Sequence, residues 1–255
     1  MKWTLRACAV GALLFLYAPL AIVAVLSFNT SRSFSWPPAG FTLHWWGDAA
    51  NDAAIRHALT TSITTALWAT AIALILGTMA AIAVSRFRFF GRDSLSFLVV
   101  LPIALPGIVT GIALNRAFQR FGIDPGFRTL VIAHATFCVV VVYNNAVARM
   151  RRLSPNLEQA SADLGADTFT TFRRVTFPLL RSALLAGALL SFALSFDEIV
   201  VTTFTSGPGI ETLPQWIFNN LFRPNRLPLV NVVATAVVAL SIVPVWLSQK
   251  LTSGD

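Results

Sequence analysis

The chain has 255 residues, of which 56% are hydrophobic and only 12% are charged, and its formal net charge is +8. A soluble domain is typically about 25% charged, so this composition leaves too little polar surface to cover a soluble globular body. The basic residues stand at the ends of apolar segments, where they orient membrane helices, and this placement argues against a nucleic-acid-binding protein.

Six apolar segments follow one another along the chain, and each is close to the length of about 20 residues that crosses a bilayer as a helix. Runs such as VVLPIALPGIVTGIAL do not show the apolar–polar alternation of a membrane β-barrel. The sequence therefore predicts an all-α polytopic membrane protein with about six spans, at residues 7–28, 58–85, 94–115, 129–148, 182 to about 203, and 227–249.

The first segment follows Lys2 and Arg6, so it has two interpretations, a secretory signal peptide or a first membrane helix. Its apolar stretch is longer than the roughly 7–15 residues of a signal peptide and no convincing cleavage site follows, which favours an uncleaved helix. Most of the 19 Lys and Arg residues fall on one side of the six spans. Since basic residues are retained in the cytoplasm, both termini are expected there, with the loops at 29–57 and 206–226 outside.

The third span contains two prolines, Pro102 and Pro106. Proline removes a backbone donor and kinks a helix, so the span is expected either to pack tightly in the bundle or to bend beside a translocation path. Two pairs of small residues with four-residue spacing permit close helix approach. They are Gly107 with Gly111, and Ala183 with Gly187.

The segment 151–180 is the only long loop on the side assigned to the cytoplasm. Ser154 and Pro155 form a helix start, with a capping hydroxyl followed by proline at the first helical position. Gly165 is expected to end this helix in the left-handed conformation. Between these points an apolar stripe is formed by Leu157, Ala160 and Leu164.

A second short helix is predicted to start near Asp167 or Thr168, and Pro178 is expected to end the loop where the fifth span begins. Its apolar face would be formed by Phe169, Phe172 and Val175. Two short helices with an apolar face and no core of their own favour a docking site for a partner protein. The alternative is that the loop packs back on the bundle or on lipid headgroups.

The same segment resembles the signature loop of bacterial ABC-importer permeases, whose pattern is Glu-Ala-Ala, three residues, Gly, nine residues and Ile-x-Leu-Pro. Here the pattern starts at Gln159-Ala160-Ser161 and continues with Gly165 and Pro178 at the matching spacings. Gln159 replaces the glutamate, and Glu158 offers an acid one position earlier. The resemblance implies an ATPase-coupling loop, residues 149–180, with contact residues Glu158, Gln159, Ala160, Ser161, Gly165, Ala166, Phe169 and Pro178.

Three further stretches resemble the polyamine (spermidine/putrescine) branch of these permeases: GFTLHWW at 40–46, PIALPGIVTGIAL in the third span and SFDEIVVTTFTSG around the fifth. The resemblance implies one permease domain over 1–255, with a core at about 57–248, in the bacterial inner membrane. It also implies three kinds of partner: a second similar permease, two cytoplasmic ATPases and an extracytoplasmic substrate-binding protein. The sequence contains no G-x-x-x-x-G-K-[ST] phosphate loop, so ATP and magnesium are expected in the partner ATPase and no cofactor or metal in this chain.

Two adjacent acids, Asp197 and Glu198, fall within the fifth span. An acid at the centre of a span costs about 2.5–3.5 kcal/mol on insertion scales, so such a residue usually faces a polar path. Helical spacing puts Glu198 on one stripe with Ser195 and Thr202, which predicts a substrate pathway lined by these residues and leaves Asp197 for helix packing or a partner contact. The alternative is that both acids lie near the outer interface or pair with an arginine of a neighbouring subunit. A path lined by acids suits a cation, and the hypothesis for the cargo is a polyamine.

Two other classes of membrane protein fit the sequence less well. A stand-alone secondary transporter or channel often shows internal duplication, which is not evident here. An intramembrane protease would need a Gly-x-Ser or H-E-x-x-H setting, and neither occurs. A lone histidine inside a span is more often a hydrogen-bonding partner between helices than a proton carrier, so this role is predicted for His134 in the fourth span.

Overall fold

The computed structural model describes residues 2–32, 36–154 and 156–252, with side chains up to residue 241 in the last of these ranges. The elements over the described residues are helical. They are α1 Lys2–Leu26, α2 His44–Asn51, α3 Ala53–Arg86, α4 Arg92–Ala104, α5 Gly107–Arg120, α6 Phe127–Met150, α7 Asn156–Asp163, α8 Thr168–Thr171, a π-helical turn Phe172–Thr176, α9 Phe177–Phe196, α10 Val200–Thr205, α11 Leu213–Asn220 and α12 Leu227–Thr252.

Four helical segments are long and apolar enough to cross a membrane: Lys2–Leu26, Ala53–Arg86, Phe127–Met150 and Thr168–Phe196. A fifth span is formed by α4 and α5 together if the two are counted as one bent pair. The stretch Leu227–Ser241 of α12 is a shorter apolar helix. The prediction of an all-α polytopic protein is confirmed, and the number six is an approximation that depends on the bent pair and on α12.

Two of the predicted spans are wrong in detail, because each is interrupted. The third span is two helices that meet at an angle of 111° around Leu105 and Pro106. The fifth span begins before residue 182, and its helix ends at Phe196, with α10 resuming at Val200. The interruption therefore falls on Asp197 and Glu198, which sequence patterning had placed inside a continuous helix.

The chain forms two compact units, one within residues 1–57 and 216–255 and the other within 58–215. In the first unit α12 packs against α1 and α2. The indole Nε1 of Trp45 donates a hydrogen bond to the Asn29 carbonyl oxygen at 2.9 Å, which anchors α2 to the turn after α1. Arg226 donates to the Asp52 carboxylate, joining the start of α12 to the start of α3.

The second unit is built around α6, whose side chains are mostly buried on several sides. Helix α9 packs along it in a fixed antiparallel register, in which Val142 faces Gly187, Cys138 faces Ser191 and His134 faces Ser195. A Cβ on Gly187 would lie 3.3 Å from the Cα of Val142. The small residue at 187 therefore permits the close helix approach that its spacing predicted.

Candidate functional site

Two interrupted helices meet side by side in the second unit. Pro106 has no backbone N–H and holds the preceding Leu105 in an extended conformation, so α4 ends at Ala104 and α5 starts afresh at Gly107. A Cβ on Gly107 would lie 3.6 Å from the side chain of Val200, the first residue of α10. The break between α4 and α5 therefore lies beside the break between α9 and α10.

From this point α5 and α10 run parallel in close contact. A Cβ on Gly111 would lie only 2.7 Å from Cδ2 of Phe204, four residues along each helix from the pair at 107 and 200. The Asn115 side-chain amide then donates to the Phe204 carbonyl oxygen. The close approach predicted from the spacing of Gly107 and Gly111 is confirmed, and its partner is the short helix that follows the acids.

The acidic break, residues 197–199, gives the two carboxylates different surroundings. Oε1 of Glu198 accepts a hydrogen bond from the backbone N–H of Val201 at 2.8 Å, so Glu198 satisfies one of the free N–H groups in the first turn of α10. The Asp197 side chain is exposed in the chain, whereas Glu198 is half-buried. Sequence patterning favoured Glu198 as the acid open to a path, and the structure instead leaves Asp197 as the more open of the two.

Broken backbone at membrane depth is tolerated only where it is buried in protein or lines water, because lipid cannot satisfy free peptide groups. An exposed carboxylate at such a break needs water, a cation or a partner charge. The two adjacent breaks are therefore the candidate functional site of this chain.

Ser195 and Thr202, the other two residues assigned to a substrate pathway, are buried on the opposite side from solvent, against α6. The imidazole of His134 lies between them, with Nδ1 at 2.8 Å from Ser195 Oγ and Nε2 at 2.9 Å from Thr202 Oγ1. The prediction that His134 is a hydrogen-bonding partner between helices is confirmed. The assignment of Asp197, Glu198, Ser195 and Thr202 to a substrate pathway stays a prediction.

The first helix of the coupling loop ends at Gly165, as expected. Gly165 has φ +81°, and the N–H of Ala166 donates back to the Ser161 carbonyl at 3.1 Å, which closes the helix end with a left-handed residue. At the start of α7 the Asn156 N–H donates to Ser154 Oγ at 3.3 Å. Pro155, the predicted first helical residue, lies outside the described residues.

The second helix begins where the sequence predicts. Asp167 accepts a hydrogen bond from the Thr170 N–H at 2.7 Å and caps α8. Hydrogen bonds from the side chain and backbone of Thr170 hold the pKa of the Asp167 carboxyl below its ordinary value. The loop does not end at Pro178, however, because α8, the π-helical turn and α9 form one continuous helix from Thr168 to Phe196.

Some side chains of the coupling loop are exposed, and others face the body of the second unit. Leu164 is 89% exposed and Phe169 is 69% exposed, and Gln159, Ala160 and Pro178 are exposed too. Glu158 instead turns toward the body of the unit. Its Oε2 lies 2.8 Å from Nε of Arg86 at the end of α3, and its Oε1 accepts from Thr176 Oγ1 at 2.9 Å. Sequence reasoning missed Arg86, because nothing in local patterning links residues so far apart.

Within the described residues no group of three or more His, Cys, Asp or Glu side chains is arranged to hold a metal ion. The exposed carboxylate of Asp197 at the break carries a negative charge of the kind that attracts a cation.

Comparison with known families gives one matching model, described as a binding-protein-dependent transport system inner membrane component, over residues 73–253. The chain is 37% identical over 232 residues to the putrescine transport system permease protein PotI of Escherichia coli K12, covering 88% of this chain and 82% of that protein. It is 36% identical over 238 residues to the spermidine/putrescine transport system permease protein PotC of the same strain, covering 93% and 89% respectively.

A more distant relative is a putative 2-aminoethylphosphonate transport system permease protein, PhnV of Salmonella choleraesuis, at 29% identity over 93% of this chain and 92% of that protein. Among solved structures, a bacterial ABC transporter involved in import of the acidic polysaccharide alginate has a chain that superposes with a TM-score of 0.72. That match has 16% sequence identity and covers 99% of this chain and 95% of the other, so it shows a shared fold.

Proposed function

We propose, since this chain belongs to the family of binding-protein-dependent transport system inner membrane components, that it is an ABC-importer permease whose cargo is a polyamine such as putrescine or spermidine. The observation that carries the cargo is the exposed carboxylate of Asp197, placed at the point where two interrupted helices meet. Relatives at 36–37% identity are named for putrescine and spermidine, both of which are organic cations.

Membership of the family does not by itself define the cargo. The 29% identical relative is named for a phosphonate, and the structural neighbour belongs to a system for an acidic polysaccharide. A carboxylate attracts every charged group of a polyamine, whereas it repels an acidic polysaccharide and the phosphonate group of 2-aminoethylphosphonate, so an acid at the break favours the polyamine over either of those cargoes.

The proposed partners follow from the family and from the loop that contains α7 and α8. Such a permease works with an ATPase and a substrate-binding protein. We assign the exposed Leu164 and Phe169, with Gln159 and Ala160 beside them, to the contact with the ATPase. The finer arrangement that we propose is a second similar permease, two ATPase subunits, and both termini of this chain in the cytoplasm of a bacterial cell.

Catalysis has no part in this role. The chain contains no phosphate-binding loop of the G-x-x-x-x-G-K-[ST] type, so in this proposal the nucleotide and its magnesium ion are held by the ATPase. The membrane chain converts the motion of its coupling loop into a change at the two helix breaks.

The test is uptake of labelled putrescine at low external concentration by cells with and without this chain, each containing the rest of the transport system. We expect uptake that depends on the chain, that excess spermidine suppresses and that 2-aminoethylphosphonate does not. Equal uptake with and without the chain would reject the cargo. Uptake that continues after deletion of every candidate ATPase would instead support a stand-alone transporter or channel.

A further inference from the structure

The buried side chain of His134, on α6, lies beside the acidic break. His134 is fully buried, as is Thr202, and Ser195 is 2% exposed. Ser195 stands in the last turn of α9 and Thr202 in the first turn of α10, so the two hydroxyls flank residues 197–199. The imidazole of α6 is hydrogen-bonded to both of them, and it spans the interruption from the side.

The number of available protons defines the direction of the two hydrogen bonds of His134. The Thr202 hydroxyl has one proton, and it donates to the backbone carbonyl of Glu198 at 2.8 Å. Its oxygen must therefore accept from His134, so Nε2 carries the ring proton. Nδ1 of the neutral ring is then an acceptor, and the Ser195 hydroxyl donates to it. The chain of bonds runs from Ser195 through His134 and Thr202 to the backbone of Glu198.

Neighbouring polar contacts on α6 cannot replace this connection. Ser191 donates to the Cys138 carbonyl oxygen at 3.2 Å, which joins α6 to α9 only. Thr129 donates to the Thr205 carbonyl at 2.8 Å, which joins α6 to the far end of α10 only. Unlike these two contacts, the hydrogen bonds of His134 reach both sides of the break.

We propose that His134 is a positioning residue, which holds the two ends of the acidic break against α6 and thereby sets where the Asp197 carboxylate faces. The effect of His134 on transport rests on the proposed function, because the position of Asp197 affects uptake only if Asp197 attracts the cargo. Its action on the break itself is independent of the cargo and can be measured separately.

The positional test places a thiol at the break, as Asp197→Cys, in a chain that also carries Cys8→Ser. Cys8 is exposed and Cys138 is buried, so the new thiol is the one open to a reagent. The chain is studied in native membranes with the rest of its transport system, and the rate of reaction with a cationic methanethiosulfonate is measured. Adding His134→Phe, which keeps the ring and removes both ring nitrogens, is expected to change the rate about fivefold to tenfold.

Three further variants separate positioning from general damage. His134→Gln keeps one donor and one acceptor and is expected to leave the rate within about twofold of the parent. Thr202→Val should reproduce the effect of His134→Phe in kind, and adding it to His134→Phe should cause little further change, because both act through one connected network. Thr136→Val is the matched control, since among the described residues the Thr136 hydroxyl donates to the carbonyl of Ala133 on its own helix and makes no bond to α9 or α10.

Uptake of labelled putrescine is then measured with His134→Phe and His134→Gln in the chain that retains Asp197. We expect a loss of uptake with the first and its recovery with the second. Unchanged thiol reactivity in both His134→Phe and Thr202→Val would overturn the positioning role. Changed reactivity with undiminished uptake would overturn its effect on transport. If the parent chain takes up no putrescine, the proposed cargo fails while the thiol measurement still decides the positioning role.

Discussion

Nε of Arg86 lies 2.8 Å from Oε2 of Glu158, and this ion pair ties the end of α3 to the first turn of α7. Both side chains are largely buried, with 16% and 23% of their area exposed. Glu158 also accepts from Thr176, so one carboxylate joins three segments: the end of a span, the first loop helix and the π-helical turn. In the proposed function, this carboxylate is the contact through which a displacement of the loop would reach α3 and α9.

Breaking this ion pair should uncouple the loop from the spans. Glu158→Gln or Arg86→Met is expected to weaken the attachment of the loop to α3 by about 1–2 kcal/mol, a value between those of surface and buried ion pairs. We expect a several-fold fall in uptake as a result. The measurement is putrescine uptake per unit of chain in the membrane. The double exchange Arg86→Glu with Glu158→Arg should recover part of the activity.

Asp163→Asn is the matched control for this prediction, because Asp163 is an exposed acid on the same helix. It should leave uptake unchanged. Equal losses from Asp163→Asn and Glu158→Gln would show that the charge of α7 matters rather than its connection to Arg86.

Replacing Gly165 should stop transport because of the backbone conformation at this position. Its φ of +81° costs other residues about 1–2 kcal/mol, and nothing lies within 4 Å of the position that a Cβ would occupy. Gly165→Val is expected to abolish uptake while the chain still inserts, since the turn between α7 and α8 is lost. Gly165→Asn should retain most uptake, because asparagine tolerates the left-handed region. Full uptake by the valine variant would refute the role of this turn.

The two acids should differ in what their neutralisation does. Asp197→Asn removes the exposed charge, and we expect a fall in putrescine uptake of about tenfold, equivalent to about 1.4 kcal/mol of lost attraction. Glu198→Gln leaves an oxygen that can still accept from the Val201 N–H, so this hydrogen bond in the first turn of α10 persists and the loss should be smaller. The losses in both variants are measured as initial uptake rates at several putrescine concentrations. A larger loss from Glu198→Gln would reverse the roles that we propose for the two carboxylates.

The contact between α5 and α10 should tolerate no side chain at residue 111. A Cβ there would lie 2.7 Å from the ring of Phe204, so Gly111→Ala is expected to destabilise the unit by about 1–3 kcal/mol through overpacking. The thermal stability of detergent-solubilised protein measures the loss. Combining it with Phe204→Ala should relieve the clash. Gly11→Ala is the control, because nothing lies within 4 Å of its Cβ position, and a loss there as large as at Gly111 would exclude a local steric cause.

Much of the architecture was predictable because it depends on local composition. Apolar length located the segments that include α3, α6 and α9, and the turn at Gly165 was evident from one glycine between two short helices. The interruptions were harder to place. Pro106 indicated a bend, although not an angle of 111°, and no proline or glycine marks the end of α9 at Phe196.

The candidate site was predictable in its residue types and not in its arrangement. Helical periodicity correctly grouped Ser195 with Thr202, and His134 was expected to bond between helices. The same periodicity assumed an unbroken helix at Asp197 and Glu198, whereas α9 ends at Phe196 and α10 begins at Val200, and the roles assigned to the two acids stay a prediction.

The amino-acid sequence by itself determined that this chain crosses a membrane, where its apolar helices lie and which loop offers exposed apolar side chains, because each depends on the character of a short stretch. Only the tertiary structure decided that Glu158 pairs with Arg86, that the two helix breaks adjoin and that His134 joins Ser195 to Thr202. Those relationships depend on the register in which separate helices pack, and that register is set by close contacts such as Gly187 on Val142 rather than by any one segment.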